Sequence, residues 1–446
     1  MDEQFSQMKK MFSVLVPVTL QQLVISMNFI IDNLMVSYLG EEFIAALGSS
    51  NKFMVIVRMS IIAICSASGS LISQYRGSRH KEGVSRTFAI NSIITFSTAM
   101  IFCIIFFTNK DFILSSFSDS KEIVLISWSY LSIIIFTSFS FSLIMPMMTV
   151  VRSTGNVVSA LLVSVISLFT NFIFNFILIY GKFGIPALGI RGAAISTVIS
   201  EVLSIIILLA IVNYKITPIS KIKDIDFSFK DIDKFLRVSL PLLSAGLLTS
   251  LSLMFSHNIF GRLGEEELAA YGIISPMENI LSDLFAGVGL ASIVIIGAEL
   301  GRNKFESAYS HAKSIIWSGL ASSLIIGSCF IFFSSKVTWF LDIDEETVGY
   351  VVTMLTLLGI SMPVRTFNST MSNGMLSSGG DNVFLMFVTM TADWIFALPS
   401  IYIGKYLFNW NIPKIYSVLI LSEILTATIF IFRFRSKRWM TNLVGG

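Results

Sequence analysis

Long apolar stretches alternate with short polar connections along the whole chain. Twelve of them reach the roughly 17 to 25 residues that a helix needs to cross a bilayer. The predicted spans are residues 11–38, 53–74, 88–108, 123–147, 157–180 and 189–213, followed by 235–260, 273–299, 312–335, 347–376, 383–404 and 415–434. In lipid the backbone must satisfy its own hydrogen bonds, and these stretches are too long and too uniformly apolar for barrel strands. The pattern therefore predicts an all-α integral membrane protein with twelve transmembrane helices.

The longest connection divides the chain into two halves. Residues 214–234 are polar and rich in lysine, whereas the other connections are short. We predict an N-terminal six-helix lobe over residues 1–213, a cytoplasmic linker over residues 214–234 and a C-terminal six-helix lobe over residues 235–446.

An internal repeat relates these halves. Residues 38–48 read YLGEEFIAALG and residues 262–272 read RLGEEELAAYG, an offset of 224 that also takes Pro17 to Pro241 and Gly77 to Gly301. Six spans per copy is an even number, so both copies enter the membrane in the same direction. We therefore expect a pseudo-two-fold axis along the membrane normal, with substrate bound near the midplane between two lobes that alternate in access.

Composition and charge support a membrane location and predict an orientation. Hydrophobic residues make up 54% of the chain and charged residues 13%, against about 25% charged residues in soluble domains. Cytoplasmic loops carry an excess of lysine and arginine, which predicts that both termini are cytoplasmic and that the protein lies in the plasma or inner membrane. The basic residues on that side are Lys9, Lys10, Arg76, Arg79, Lys81, Arg86, Arg152, Arg302, Lys304, Lys313, the linker lysines with Arg237, and the tail from Arg433 to Arg438.

Several function classes have no support in the sequence. The net charge of +3 follows from the orientation, so we expect membrane lipid and no nucleic acid as a partner. The three cysteines lack metal-ligand spacing, and the three histidines are scattered, so we expect neither a metal site nor an enzyme. The chain has no phosphate-binding loop for ATP, and we expect no cofactor.

Several motifs resemble those of the multidrug and toxic compound extrusion (MATE) transporters, in order and over nearly the whole chain. The motifs are IDNLMVSYLGEEFIAALG, LISQYRGSRHKEG, VVRSTGN, TNFIFNFILIYGKFGIPALGIRGAAISTVIS, MLSSGGD and DWIFALP. This resemblance implies efflux of organic, often cationic, compounds in exchange for protons or sodium ions. A flippase for lipid-linked saccharides, which shares the superfamily architecture, is the alternative. We expect small organic substrates and a monomer.

Asp32 is the first candidate for ion coupling. An ionisable group inside a bilayer is costly, and a carboxylate changes its proton affinity as its surroundings become more or less hydrated. Pro17, 15 residues earlier in the same predicted helix, permits a bend because it removes a backbone hydrogen bond. A plain position at the outer interface is the alternative for Asp32.

The resemblance also implies that Asn171, Asn175 and Thr197 share a cation or proton site with Asp32. Asn171 and Asn175 stand four apart on one helix face, where their amides could bind a cation, orient Asp32 or simply join helices. Some relatives have a second carboxylate at the position of Asn175. A single formal negative charge favours protons over sodium ions as the coupling ion, because hard cations prefer several oxygens and compensating charge.

Other polar groups inside the spans have less specific predictions. The weaker candidates for the substrate path or a charge network are Asn28, Arg58, Glu201, Asp283, Arg365 and Asp393, and Glu278, Glu299 and Glu423 are further charges there. Each of these charges must pair, face water or extend to the interface. The repeat places Ser256 at the position of Asp32, so the second half lacks that acid.

Overall fold

The computed structural model describes residues 2–115, 121–216, 228–337 and 344–445. Within those ranges the regular structure is helical throughout and contains no strand. The chain forms two compact units, unit 1 (Met1–Leu243) and unit 2 (Ser244–Gly446). Of the predicted linker 214–234, residues 217–227 lie outside the described part of the chain.

Unit 1 contains the helices of the first half. They are α1 (Asp2–Ser37), α2 (Glu41–Gly77), α3 (Lys81–Thr108), α4 (Lys110–Ser115), α5 (Lys121–Ile134), α6 (Thr137–Ser153), α7 (Val157–Tyr180) and α8 (Ile190–Lys215). The start of the next helix, α9 (Phe229–Phe260), also belongs to this unit, because Asp231 pairs with Arg86 at 3.6 Å and the Lys234 ammonium donates to the Tyr75 hydroxyl at 3.2 Å.

Unit 2 contains the rest of α9 and the helices that follow it. They are α10 (Glu265–Gly301), α11 (Phe305–Val337), α12 (Glu345–Thr370), α13 (Asn382–Thr389), α14 (Leu398–Tyr406) and α15 (Ile412–Arg435). Two π-helical turns, Met371–Leu376 and Met390–Ala397, continue α12 and join α13 to α14. Each π turn holds one extra residue, which changes the direction in which the following side chains point.

The number and kind of spans confirm the predicted fold class. Eleven helices in the described residues are long and apolar enough to cross a membrane, and one bent pair brings the number to twelve. Most of them extend past the predicted apolar spans at one end or both, since helices continue through polar residues where the backbone can still bond to itself.

The predicted span 123–147 is wrong as a single helix. It is divided into α5 and α6, which meet at an angle of 43°. At the break the Phe136 and Ser138 amides bond three residues back instead of four, to Ile133 and Ile135, and the Thr137 hydroxyl donates to the Ile134 carbonyl at 2.6 Å. These tighter bonds and the hydroxyl replace part of the α-helical pattern and bend the span.

Candidate ion-coupling site

Two helices in unit 1 present matching rows of polar side chains to each other. Residues 21, 28 and 32 share one face of α1, and residues 164, 171 and 175 have the same spacing on α7. Gln21 donates to the Ser164 hydroxyl at 3.3 Å, and Asp32 accepts from Asn175 at 2.5 Å. Both pairs are 143 residues apart, so α1 and α7 run parallel and in register between them.

The pair formed by Asp32 and Asn175 belongs to a larger network of amides and hydroxyls. The Asn175 Nδ2 group donates to Asp32 Oδ1 at 2.5 Å and to Asn171 Oδ1 at 2.8 Å. The Asn171 amide reaches the Thr197 hydroxyl on α8 at 3.4 Å, and the Ser196 hydroxyl donates to Asn175 Oδ1. The structure therefore brings together Asp32, Asn171, Asn175 and Thr197, the four candidates for ion coupling.

Ser196 is a member of this network that the sequence reasoning missed. Its hydroxyl also donates to the Ala193 carbonyl at 2.8 Å, one turn earlier in α8. Serine is common in membrane helices, where it bonds to its own backbone, so its type carries little signal. The one sequence feature that could have indicated Ser196 is its position next to Thr197 in an apolar helix.

Asp32 lies among buried, uncharged polar side chains. The side chains of Asn171 and Asn175 are fully buried, and Asp32 is partly buried. Among the described residues no cationic side chain lies within 4 Å of Asp32. A carboxylate surrounded by neutral donors can hold a proton or give it up without breaking an ion pair, which is the chemistry that coupling needs.

Arg58 and Glu201 form a second charged group beside this network. Their side chains approach to 4.0 Å, and the Arg58 guanidinium lies 5.4 Å from the centre of the Phe141 ring. Both are close enough to Asp32 for their charges to act on it. Arg58 Nε and Glu201 Oε2 are buried and have no hydrogen-bond partner among the described residues. The closest approach of the two side chains, 4.0 Å, is longer than a hydrogen bond, so the attraction between them is ionic.

Asn28 and Pro17 lie on the same helix as Asp32. Asn28 is one turn from Asp32 on the same face, and its Oδ1 is buried without a hydrogen-bond partner in the described part of the chain. Pro17 lies within α1, which is continuous from Asp2 to Ser37. Because proline has no amide hydrogen, it leaves α1 one backbone bond short at that turn.

The remaining candidates lie in unit 2. Arg365 on α12 donates to Glu278 on α10 and, at 3.4 Å, to the Tyr416 hydroxyl on α15. Asp393 lies in the second π-helical turn and accepts from the Thr249 hydroxyl at 3.2 Å. Asp283 is a half-buried residue of α10.

Comparison with known proteins defines the class of the molecule. YisQ of Bacillus subtilis (strain 168), an uncharacterised transporter, is 23% identical over 413 residues, which cover 92% of this chain and 90% of YisQ. A probable multidrug resistance protein, NorM of Neisseria meningitidis serogroup B, is 27% identical over 306 residues, or 65% of each chain. The crystal structure of the eukaryotic MATE transporter AtDTX14 superposes with a TM-score of 0.87 at 18% identity, covering 98% of both chains. The fold is that of a multi-pass membrane transporter.

The family follows from a match that occurs twice. The MatE family model matches residues 17–177 and again residues 241–403. The two matches begin at Pro17 and Pro241, the proline pair found in the internal repeat. The chain belongs to the MatE family of membrane-spanning multidrug efflux transporters.

Proposed function

We propose that the protein is a secondary active antiporter that exports organic, often cationic, compounds in exchange for protons, by alternating access of its two halves. It acts as a monomer in the plasma or inner membrane with both termini in the cytoplasm. The observation that carries the coupling assignment is the hydrogen bond from Asn175 to Asp32 inside a buried network of neutral amides and hydroxyls. Relatives such as NorM of Neisseria meningitidis are probable multidrug resistance proteins.

The hydrogen bonds of the network support a proton over a sodium ion. The oxygens Asp32 Oδ1, Asn171 Oδ1 and Asn175 Oδ1 each already accept a hydrogen from a neighbouring side chain. A sodium ion needs several oxygens turned towards it, so it would have to break these bonds. A proton needs one carboxylate oxygen and can join the existing network.

The test is transport in proteoliposomes with one imposed gradient at a time. Ethidium accumulation is measured under a pH gradient without sodium and under a sodium gradient at equal pH, for the wild type and Asp32→Asn. We expect the wild type to accumulate ethidium under the pH gradient. Asp32→Asn should keep downhill ethidium exchange and lose accumulation, because the amide cannot carry a proton.

Asp111→Asn is the matched control. Asp111 is exposed on α4, so this substitution makes the same chemical change away from the network. If Asp32→Asn accumulates ethidium as well as the wild type, the assignment of Asp32 is wrong. Ethidium accumulation under the sodium gradient but not under the pH gradient would show that the coupling ion is sodium and not the proton. Movement of a lipid-linked saccharide, with no ethidium transport, would support the flippase alternative.

A further inference from the structure

Arg152 carries a positive charge into the interior of unit 1. It lies in the last turn of α6 and is 6% exposed. Among the described residues no acidic side chain lies within 4 Å of its guanidinium, and no side chain or carbonyl accepts a hydrogen bond from it. Two other arginines inside the spans do face acids, Arg58 with Glu201 and Arg365 with Glu278. A buried cation without a counter-charge is costly, so the charge of Arg152 requires a partner.

The Cys65 thiol defines the surroundings of this guanidinium. Cys65, on α2, is close enough to Arg152 for the two groups to interact electrostatically. The Asn91 amide on α3 donates to Cys65 Sγ at 3.5 Å, and Thr149 on α6 lies beside the same thiol. Long side chains in a helix point back towards its N-terminus, so Arg152 extends over the turn that contains Thr149. The guanidinium therefore lies where α2, α3 and α6 meet.

Two hydroxyl groups in this region are buried and make no hydrogen bond to the described residues. They belong to Ser68, one turn after Cys65 on α2, and Thr149, one turn before Arg152 on α6. Hydroxyls in helices usually bond to the carbonyl one turn earlier, as that of Ser70 does at 3.2 Å. One buried cation and two unused hydroxyl donors together have the chemistry of an anion site.

The internal repeat shows that unit 2 lacks this charge. RSTGN (152–156) corresponds to SSGGD (377–381) at an offset of 225, so Ser377 takes the place of Arg152. The Ser377 hydroxyl donates to the Ser372 carbonyl at 2.7 Å. The corresponding position in unit 2 is therefore neutral, and its hydroxyl is already in use.

The two hydroxyls of unit 1 also have no free counterpart in unit 2. Ser68 corresponds to Ser292, whose hydroxyl donates to the carbonyl one turn earlier at 2.8 Å. Thr149 corresponds to Gly374, where an added methyl group would lie 2.9 Å from the Gly289 carbonyl oxygen. Backbone contact fills this place in unit 2, whereas polar side chains fill it in unit 1. The unpaired groups are therefore specific to unit 1 and do not follow from the repeated fold.

We propose that Arg152, Ser68 and Thr149 bind one small monovalent anion of the size of chloride inside unit 1, where it joins α2 to α6. A water molecule could bond to the hydroxyls, but it would leave the charge of Arg152 without compensation. A second arginine adds positive charge at the same helix end, since Arg76 donates to the Ser153 carbonyl at 3.5 Å. A small ion suits side chains that are this deeply buried, whereas a lipid headgroup would need an opening to the bilayer.

This anion is a resident ligand of the folded chain. The proposal goes beyond the proposed function because a resident anion needs neither a transported substrate nor a coupling ion. Failure of the proton-coupling assignment at Asp32 would therefore leave it untouched, and its own failure would not affect that assignment.

The experiment measures binding of radioactive chloride to the purified full-length chain in nanodiscs, in a gluconate buffer without other halides. We expect saturable binding of a single chloride ion by the wild type, with competition by bromide. Arg152→Gln should abolish this binding, because the amide carries no charge. Arg435→Gln is the matched control, since Arg435 lies in the last turn of α15 but is exposed, and it should bind chloride as the wild type does.

A second variant tests the hydroxyl contribution and remains informative if Arg152→Gln does not fold. Thr149→Val keeps the shape of the side chain and removes its hydroxyl, so it should weaken chloride binding by about tenfold, the effect of one hydrogen bond to a charged group. Thr98→Val is its control, because the Thr98 hydroxyl is used by the Ile94 carbonyl at 2.8 Å. This variant should keep the affinity of the wild type.

Thermal denaturation gives an independent reading of the same site. A ligand that binds only the folded state stabilises it, so replacing gluconate with chloride should raise the melting temperature of the wild type and of Arg435→Gln. The increase should be absent in Arg152→Gln. No saturable chloride binding by the wild type, equal binding by Arg152→Gln, or an unchanged affinity in Thr149→Val would each overturn the proposal.

Discussion

Asn175 shows how one side chain determines the chemistry of its surroundings. Both hydrogens of its amide and its oxygen are in use, towards Asp32, Asn171 and Ser196. A carboxylate at this position would lose the two donors and place a second negative charge beside Asp32. The neutral amide therefore keeps the network at one formal negative charge.

Asn175→Asp should change the coupling ion. Two adjoining carboxylates with their oxygens free favour a bound cation, so we expect ethidium accumulation under a sodium gradient, which the wild type should lack. The measurement is the proteoliposome assay with a sodium gradient at equal pH. Asn109→Asp, an exposed site at the end of α3, is the control. Accumulation that still depends on the pH gradient alone would contradict this prediction.

Asp344 gives a pH dependence that can be measured locally, outside the membrane spans. The Thr347 amide and hydroxyl donate to its carboxylate at 3.0 and 2.9 Å, and these bonds hold the pKa of Asp344 below its usual range. Because the pKa of Asp344 is lower in the folded state, its ionised carboxylate stabilises that state. This stabilisation is complete at pH values above the unfolded pKa, about 3.9 for aspartate. It is lost as the pH falls through the pKa of the folded state.

We therefore expect the protection of the first-turn amides of α12, measured relative to their intrinsic exchange rates, to fall as the pH is lowered through that range. Asparagine caps a helix as well as aspartate does but does not titrate. Asp344→Asn should therefore show the same protection at neutral pH and a smaller acid-dependent loss, after correction for the intrinsic exchange rate. Equal acid sensitivity in both proteins would rule out Asp344 as the cause.

At the scale of elements, close backbone contacts explain where small residues are required. Gly327 on α11 and Gly359 on α12 lie directly against each other, and a side chain at either would overlap the other's carbonyl oxygen. Small residues at such crossings let membrane helices approach closely. The packing of α11 on α12 therefore depends on this pair.

Gly327→Ala should destabilise the folded protein by about 1–3 kcal/mol, because the added methyl forces the two helices apart. Gly272→Ala is the control, since nothing lies within 4 Å of a methyl group at that position. Thermal denaturation in detergent measures both variants. Equal melting temperatures for Gly327→Ala and the wild type would show that this crossing can open at little cost.

The segment after α15 folds back onto a loop of unit 2. Trp439 is fully buried, its ring stacks on Phe434 at 5.8 Å between centroids, and its backbone carbonyl lies against Gly379. Arg433 holds the same loop through two bonds to Asp381, at 2.6 and 2.8 Å. The segment is thus part of the core of unit 2.

Trp439→Ala should lower the free energy of unfolding by about 3–5 kcal/mol, the usual loss for a buried tryptophan. Trp317→Ala removes the same side chain from a site that is 70% exposed, so its effect should be small. Denaturation of the two variants in the same detergent compares them directly. Similar losses would mean that burial of Trp439 contributes little.

At the scale of the whole molecule, the excess of basic residues predicts the orientation. Lys437 follows α15, and Lys182 follows α7 on the opposite side of the predicted topology. In a cysteine-free background, Lys182→Cys should react with a membrane-impermeant maleimide on intact cells. Lys437→Cys should react after the membrane is opened. The reverse pattern would place both termini outside.

The sequence predicted much of the helical architecture and part of the candidate site. Eleven of the twelve predicted spans correspond to long helices, because apolar length alone decides whether a segment can cross a bilayer. The break between α5 and α6 was missed, since it depends on hydroxyl and backbone bonds at Thr137 that leave hydrophobicity unchanged. Asp32 and Asn175 were identified as polar exceptions, but Ser196 was not.

The sequence by itself determined the class of the molecule, its twelve spans and its duplication. These properties depend on local hydrophobicity and on the order of motifs along the chain, and neither requires contacts between residues that are distant in sequence. Only the tertiary structure shows the long-range pairs. Asn175 donates to Asp32, Arg365 forms an ion pair with Glu278, and Asn368 donates to Glu423. The partners in these pairs are between 55 and 143 residues apart, so the packing of helices, and no local pattern, brings them together.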